Sequence, residues 1–184
     1  MADLVGPKTL YVGYCGPIDT DGVGRIAATL NSAVNQQFDA VHMTFTSNGG
    51  FVSDGIYLYN HIRSLPLDVT IHNMGMVASI AASIYVAGAR RTAASNAMFM
   101  IHPVHTNPNG ALAHAELLST LESAIADEER IDAILKERTS IPDDILTQRR
   151  SVDLFFAAEK ALEYGLVHEV ADFTLPAGNQ VFNI

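Results

Sequence analysis

Short apolar runs alternate with stretches of helical periodicity along the first hundred residues. The runs favour four β-strands, at residues 9–12, 41–46, 69–72 and 98–101. Between them, apolar residues recur every three to four positions and predict helices over residues 23–35 and 52–64, with a third helix that opens at Ser79 and continues through the apolar run 80–87. This alternation of strands and helices predicts βαβ units, a largely parallel sheet and right-handed crossovers.

The second half of the chain has a different pattern. A polar loop at residues 105–110 leads into a long amphipathic helix over residues 111–138. Apolar side chains mark one side of this helix: Leu117, Leu121, Ala124, Ile125, Ile131, Ile134 and Leu135. The helix is either a protruding arm for contact with a partner or an ordinary covering helix. Its acidic cluster at residues 127–129 is interpreted as a solvated face.

Shorter elements close the chain. They are predicted to be a short helix with Pro142 at its first position that ends at about residue 148, a turn or short strand at 151–153, a helix at 157–164 ended by Gly165, and a strand at 167–170. No repeat or linker divides the sequence, so residues 1–184 are expected to form a single domain.

Composition limits the class of partner. With 48% hydrophobic residues the chain can bury a core, and its formal net charge of -9 argues against nucleic acid and anionic membranes as partners. The single cysteine, Cys15, cannot form an internal disulfide, which favours a reducing compartment. Because residues 1–14 lack a signal-peptide pattern and the apolar stretch 74–89 is too short for a membrane span, a cytoplasmic location is expected.

Three loops that follow predicted strands carry residues suited to nucleophilic chemistry. Ser79 opens a helix after a Gly-rich turn at 74–76, His102 ends a strand, and Gly49-Gly50 forms a turn after another strand. Taken singly, each has an ordinary structural role, as does Asp153 in its turn. Because loops at the carboxyl ends of parallel strands form sites together, their joint arrangement favours a nucleophilic site.

Other chemistries fit the sequence less well. His102 and His105 lie three residues apart, but no carboxylate or cysteine is found near them at a familiar ligand spacing, so no metal site is predicted. The absence of a G-x-S-x-G motif disfavours an ordinary α/β-hydrolase. The sequence contains neither a Walker A loop nor a G-x-G-x-x-G motif, and no nucleotide or other cofactor is expected.

Four ordered blocks of sequence resemble one known family. They are SNGGFVSDGIYLYN, MGMVASIAASIYVAGARR, NAMFMIHPVH and DLFFAAEKALEYGLVHEV. In order and spacing, over roughly residues 10–170, they resemble the proteolytic subunit of the Clp protease. The resemblance implies that Ser79 is the nucleophile, that His102 is the general base and that Asp153 orients the imidazole.

The same resemblance implies where the oxyanion and the substrate bind. The oxyanion hole would be formed by the backbone N–H groups of Gly50 (or Gly49) and of Ile80, the residue after the nucleophile. An extended peptide would bind as an added strand between two segments, which are Gly50-Phe51-Val52 and Val104-His105-Thr106.

The implied fold is an α/β, ClpP/crotonase-like spiral of βαβ units with a protruding long handle helix at about residues 111–138. In the family, such subunits form homo-oligomeric rings that stack through the handle and receive unfolded protein from an AAA+ ATPase.

This sequence departs from the family in three places. Its first strand begins by about Thr9, which argues against docking of the ATPase. Asn48 replaces the usual proline before Gly-Gly, and the loop after His102 lacks the family's glutamine and glycine-rich strand.

The sequence therefore predicts a serine endopeptidase that cleaves peptides and unfolded proteins through a Ser-His-Asp triad inside an oligomeric assembly. Two alternatives stay open. A crotonase-like acyl-CoA enzyme would share the fold and the oxyanion hole without needing a triad. A catalytically silent assembly protein would keep the fold for oligomerisation alone.

Overall fold

A computed structural model describes residues 7–108 and 110–184 as one eight-stranded sheet with six helices. The strands are β1 (Thr9–Cys15), β2 (Ala40–Ser47), β3 (Asp68–Ala78), β4 (Arg90–Ala93), β5 (Met98–Ile101), β6 (Leu154–Ala157), β7 (Glu169–Val170) and β8 (Val181–Asn183). The helices are α1 (Thr20–Asn35), α2 (Val52–Ser64), α3 (Ile80–Tyr85), α4 (His114–Arg138), α5 (Asp143–Arg149) and α6 (Ala158–Glu163).

The sheet has the order β6-β5-β3-β2-β1-β8, and β4 pairs with both β3 and β7. All these strand pairs are parallel except β5 with β6, which is antiparallel. Alternate residues of β2, namely Val41, Met43 and Phe45, are fully buried and share one core with apolar residues of α1, α2 and α3. The predicted α/β class and largely parallel sheet are therefore confirmed.

Strand β3 is longer than predicted, and the turn expected at residues 74–76 is wrong. The strand continues to Ala78, because its two halves have different neighbours: Thr70 to Asn73 pair with β4, and Met76 to Ala78 pair with β5. The Asn73 side chain stabilises the change of partner by accepting from the Gly75 N–H at 2.9 Å and donating to the Met98 carbonyl at 2.9 Å. The glycine-rich stretch is thus the switch point of the sheet.

Strand β4, which begins at Arg90, was not predicted from the sequence. Its two arginines interrupt the apolar pattern that would indicate a buried strand. Arg91 is nevertheless buried, and its guanidinium donates to the carbonyls of Val86, Arg138 and Gly165. Strands β6 and β8 were not predicted either; β8 adds to β1 in parallel at the edge of the sheet.

Helix α4 has two different halves. It begins at His114 rather than at residue 111, and Ile131, Ile134 and Leu135 near its C-terminus are buried. Four apolar side chains in its first half are about half exposed or more: Leu117, Leu121, Leu118 and Ile125. The helix therefore covers the core only with its second half.

The bounds of the other helices are close to those predicted from the sequence. Helix α2 has the predicted bounds, and α1 is capped by Asp19, whose carboxylate accepts from the Gly22 N–H at 2.8 Å. Pro142 is the N-cap of α5 rather than its first residue, and Gly165 follows α6 with a φ of 63°. Asn109 of the predicted polar loop, and residues 1–6 at the N-terminus, lie outside the described residues.

No helix within residues 7–108 and 110–184 is long and apolar enough to cross a membrane.

Candidate active site

Ser79 occupies the sharp turn between β3 and α3. It has a φ of 59° and a ψ of -134°, and it is one of two described residues other than glycine with a positive φ. Such a conformation costs about 1–3 kcal/mol and is concentrated at functional sites. A strained strand-to-helix turn exposes a serine hydroxyl above the sheet in the α/β-hydrolases. Ser79 is partly exposed, whereas all of α3 behind it is buried.

Strand pairing brings His102 to Ser79. Ala78 pairs with Met100, and the Ser79 N–H donates to the Met100 carbonyl at 2.8 Å. His102 is two residues beyond Met100, so both side chains emerge at the carboxyl ends of neighbouring strands. They line the same cavity, of about 100 Å³, without a hydrogen bond between them. Hydrogen bonds of this kind often tighten only when substrate is bound.

The Gly49-Gly50 turn reaches the same edge from β2. Gly49 has a φ of 93°, and a Cβ placed on it would lie 2.6 Å from the Ser79 Cβ and 3.1 Å from the Ser79 Oγ. A Cβ on Gly50 would lie 2.0 Å from the Ile18 carbonyl oxygen. Both positions therefore require glycine, one for the approach to Ser79 and the other for the contact with Ile18.

The free N–H groups beside Ser79 belong to Gly50 and Ile80. Among the described residues, neither N–H has an acceptor, whereas the Gly49 N–H donates to Ser47 Oγ at 3.1 Å. Gly50 and Ile80 also line the cavity, and Gly49 does not. Of the two glycines suggested by the sequence, Gly50 is the one whose geometry fits an oxyanion donor.

The surroundings of His102 favour the neutral imidazole. Burial lowers its pKa, and the neighbouring His105 lowers it further, while the charge of Asp153 opposes both effects. The His105 ring lies 4.8 Å from the His102 ring between centroids. Nδ1 of His102 is buried and has no hydrogen-bond partner among the described residues.

Asp153 is close to His102 in the sheet but does not bond to it. Ile101 pairs with Leu154 across the antiparallel β5–β6 ladder, so position 153 is opposite position 102. The Asp153 side chain is exposed and does not line the cavity. The structure therefore brings Ser79 and His102 together and leaves the third member of the predicted triad in solvent.

Some of the predicted peptide-binding residues line the cavity, and others do not. Val52, Val104 and His105 line the cavity, whereas Phe51 and Thr106 do not. Phe51 is 68% exposed, and its N–H already donates to the Ile18 carbonyl at 2.8 Å. The N–H of Val104 donates to a carboxylate oxygen of Glu128. These two N–H groups are thus occupied in the structure.

The sequence did not point to Arg149, which lines the cavity and is 1% exposed. Its guanidinium donates to Asp132 and to the His102 carbonyl. The interpretation of residues 127–129 as a solvated face is wrong for Glu128, whose side chain is 13% exposed and ion-paired with Arg149. The missed signal was Asp132, an acidic residue next to Ile131 within the apolar side of α4, because a buried carboxylate requires a cationic partner.

The site has no evident metal chemistry of its own. Within the described ranges, no three His, Cys, Asp or Glu side chains are grouped so that they could hold a metal ion. Although His102 and His105 are in contact, their neighbours in the cavity are Ser79, Arg149, glycine backbone and aliphatic side chains. This set suits a nucleophile, a base and an oxyanion better than a cation.

Comparisons with known proteins identify the family to which this chain is similar. The Clp protease family profile matches residues 8–174. A curated relative, the ATP-dependent Clp protease proteolytic subunit 1 of Streptomyces avermitilis, is 30% identical over 175 residues, which cover 93% of this chain and 78% of the relative.

A solved structure shows the same fold. A point mutant of ClpP1 from Listeria monocytogenes superposes with a TM-score of 0.78 and 24% identity, over 90% of this chain and 92% of the other. This likeness confirms the expected α/β fold of the ClpP type. With a family match that spans most of its length, this chain belongs to the Clp protease family.

Proposed function

We propose that the protein is a serine endopeptidase in which Ser79 is the nucleophile. The observation that carries this proposal is the strained Ser79 turn, which shares one cavity with His102 and with the free N–H groups of Gly50 and Ile80. Membership of the Clp protease family supports a peptidase. Buried, unpaired polar groups are rare in folded proteins, and two N–H groups facing a serine are suited to bind a developing oxyanion.

The chemistry proceeds in two halves. Ser79 Oγ attacks the peptide carbonyl carbon while its proton passes to Nε2 of His102, and the N–H groups of Gly50 and Ile80 donate to the oxyanion. The C–N bond then breaks, the leaving amine takes the proton from His102, and an acyl-enzyme remains on Ser79. Water, deprotonated by His102, releases the acid and restores the serine hydroxyl. Hydrogen-bond donors of this kind are each worth about 10²–10³-fold in kcat.

Asp153 completes the triad by moving. Its backbone position opposite His102 and the upward effect of its charge on the pKa of His102 support this role. When Asp153 accepts a hydrogen bond from Nδ1, it fixes the imidazole tautomer and stabilises the imidazolium. We infer that substrate binding draws the exposed carboxylate inward, because Nδ1 is buried without another partner among the described residues.

The substrate is an extended peptide or an unfolded protein. Val52 and Val104 give the cavity apolar walls, and the exposed residues His105 and Thr106 can pair with an added strand through their backbone. The segments at Phe51 and Val104 must release their present hydrogen bonds before they pair with such a strand.

The working form is a homo-oligomer, a ring or stacked rings, in the cytoplasm. The half-exposed apolar side chains of α4, Leu117, Leu118, Leu121 and Ile125, support contact through this helix. The curated relative is named ATP-dependent, which makes an AAA+ ATPase a candidate partner. The formal net charge of -9 disfavours nucleic acid and membrane surfaces.

Separate replacement of two serines, one at the start of α3 and one within it, tests the proposal. Ser79→Ala removes the nucleophile and should abolish hydrolysis of a fluorogenic peptide. Ser83→Ala is the matched control, since Ser83 is fully buried in α3, its hydroxyl has no partner among the described residues, and it should tolerate the change. Equal activity of Ser79→Ala and the parent would exclude Ser79 as the nucleophile.

One observation favours a second candidate, a catalytically silent assembly protein. His102 Nδ1 has no partner among the described residues, and Asp153 is exposed. A silent protein would assemble in the same way but hydrolyse no peptide, whatever its concentration. The crotonase-like alternative is supported by no further observation.

A further inference from the structure

The side chain of Arg149 is almost fully buried, which is rare for a charged group. It is 1% exposed and lies at the end of α5, against the active-site cavity. Arginine is rarely buried unless its five donors are satisfied by good partners. The identity of those partners indicates what the residue does.

The planar guanidinium joins α4 to the active-site histidine. Nη1 donates to the His102 carbonyl at 3.0 Å, while Nε and Nη2 donate to Asp132 Oδ1 at 2.9 and 2.6 Å. Nη2 also donates to the Glu128 carbonyl at 3.2 Å. One rigid group thereby holds the residue after β5 against a single turn of α4.

A second connection reaches the same turn. The Glu128 carboxylate accepts from the Val104 N–H through Oε1, and its Oε2 lies 2.6 Å from Nη2 of Arg149. The backbone is thus fixed on both sides of Pro103, at His102 and at Val104. The His102 ring has no hydrogen bond at Nδ1 to any described residue, so its place is set by this backbone attachment rather than by its own side-chain bonds.

We propose that Arg149 is the positioning residue of the active site, which holds His102 within reach of Ser79 by fixing its carbonyl to α4. The inference rests on the proposed peptidase function and adds a residue to it. A lysine cannot replace it, because an ammonium group does not span His102, Asp132 and Glu128 in one plane.

The neighbouring arginine provides a matched control. Arg150 binds the other oxygen of Asp132, with Nε–Oδ2 at 2.9 Å and Nη2–Oδ2 at 2.5 Å, but does not reach His102. If the ion pairs matter only for stability, loss of either arginine should affect catalysis in the same small way. If Arg149 positions His102, only its loss should slow the reaction.

The experiment compares Arg149→Lys with Arg150→Lys. For a short fluorogenic peptide, Arg149→Lys should lower kcat about 10–100-fold with KM nearly unchanged, because small displacements of a catalytic group have effects of this size. Arg150→Lys should stay within about twofold of the parent. A folded Arg149→Lys protein with parental kcat, or an equal loss in both variants, would overturn the proposal.

A spectroscopic readout separates this inference from the peptidase proposal. The imidazole C–H resonance of His102, assigned with His102→Gln, should shift in Arg149→Lys and stay in place in Arg150→Lys, whether or not the parent hydrolyses peptides. An unmoved resonance in Arg149→Lys refutes the positioning role. Should Arg149→Lys fail to fold, Asp132→Asn keeps an acceptor for the guanidinium. Asp132→Asn should shift the His102 resonance by less than Arg149→Lys would. An unshifted resonance in Asp132→Asn would refute the proposal.

Discussion

At the scale of single residues, the site depends on backbone conformation as much as on side chains. Ser79 and Gly49 both have a positive φ and lie close together. The sequence indicated that Ser79, His102 and the Gly49-Gly50 turn meet, because the loops after β2, β3 and β5 were identifiable from apolar runs. It did not indicate which glycine N–H stays free, since that depends on the bond from Gly49 to Ser47.

Arg149 could not be placed from the sequence for a related reason. Its partners are 17 to 47 positions away along the chain, and the charge pattern of α4 at residues 127–129 looks like an ordinary solvated face. Only the packing of α4 on α5 shows that Asp132 and Glu128 face inward. Long-range pairing of buried charges is decided by tertiary structure rather than by local pattern.

The pH dependence of hydrolysis tests the environment of His102. Because burial and His105 lower its pKa, the acid limb of kcat/KM should have its midpoint below 6.5. Asp153→Asn removes a charge that raises this pKa, so the midpoint should move further down. The plateau should also fall, by about 10²–10⁴-fold, since the imidazolium loses its partner.

Asp144→Asn is the control for this pH profile, because Asp144 is an exposed residue at the start of α5. It should leave both midpoint and plateau unchanged. An acid-limb midpoint above 6.5 in the parent, or an upward move in Asp153→Asn, would contradict the account of His102.

At the scale of elements, the prediction succeeded where a strand or helix carries its own pattern. Helix α2 and strand β5 have the bounds that periodicity indicated. Strand β4 was not predicted because it contains two arginines, which in the fold interact with carbonyl groups and acidic side chains. Strand β8 was not predicted because it pairs with β1, which lies at the opposite end of the sequence. The extension of β3 through Gly75 depends on two different neighbours, which no local pattern encodes.

Helix α4 gives the second prediction. Leu121 is 57% exposed, so Leu121→Glu should leave the free energy of unfolding of the subunit nearly unchanged. If the first half of α4 is the contact between subunits, the same change should dissociate the assembly, because a buried unpaired charge costs several kcal/mol. Native mass spectrometry at several concentrations measures this.

Ser119→Glu adds the same charge on the same exposed half of α4 without removing an apolar side chain. It should reduce assembly less than Leu121→Glu does. Unaltered mass in Leu121→Glu would mean that the subunits associate through another surface.

At the scale of the whole molecule, four histidines have a pKa below the ordinary value. Burial lowers the pKa values of His42, His72, His102 and His168, and that of His42 falls to about 4. Three of them lie outside the site: His42 and His72 contact Phe173 on the sheet surface, and His168 contacts Arg91. The stability of the fold is therefore linked to pH near neutrality.

The sign of that linkage gives the third prediction. Below pH 6.5 the unfolded chain binds protons at these histidines that the folded protein does not bind, so the free energy of unfolding should decrease as the pH falls. His42 alone should contribute about 2 kcal/mol of this loss by pH 4, allowing for solvent screening. Urea unfolding between pH 7 and 4.5 measures it, and His42→Asn should make the dependence shallower. A free energy of unfolding that stays constant over this range would contradict the lowered pKa of His42.

The most direct test of the central claim, that Ser79 is a working nucleophile, is covalent labelling of the native protein. A fluorophosphonate probe followed by intact and peptide mass spectrometry should give one adduct per subunit, on Ser79, at a rate that decreases in His102→Ala. The native mass of the same sample records the assembly in which labelling occurs. No adduct in the assembled protein, or an adduct on a serine other than Ser79, would contradict the account.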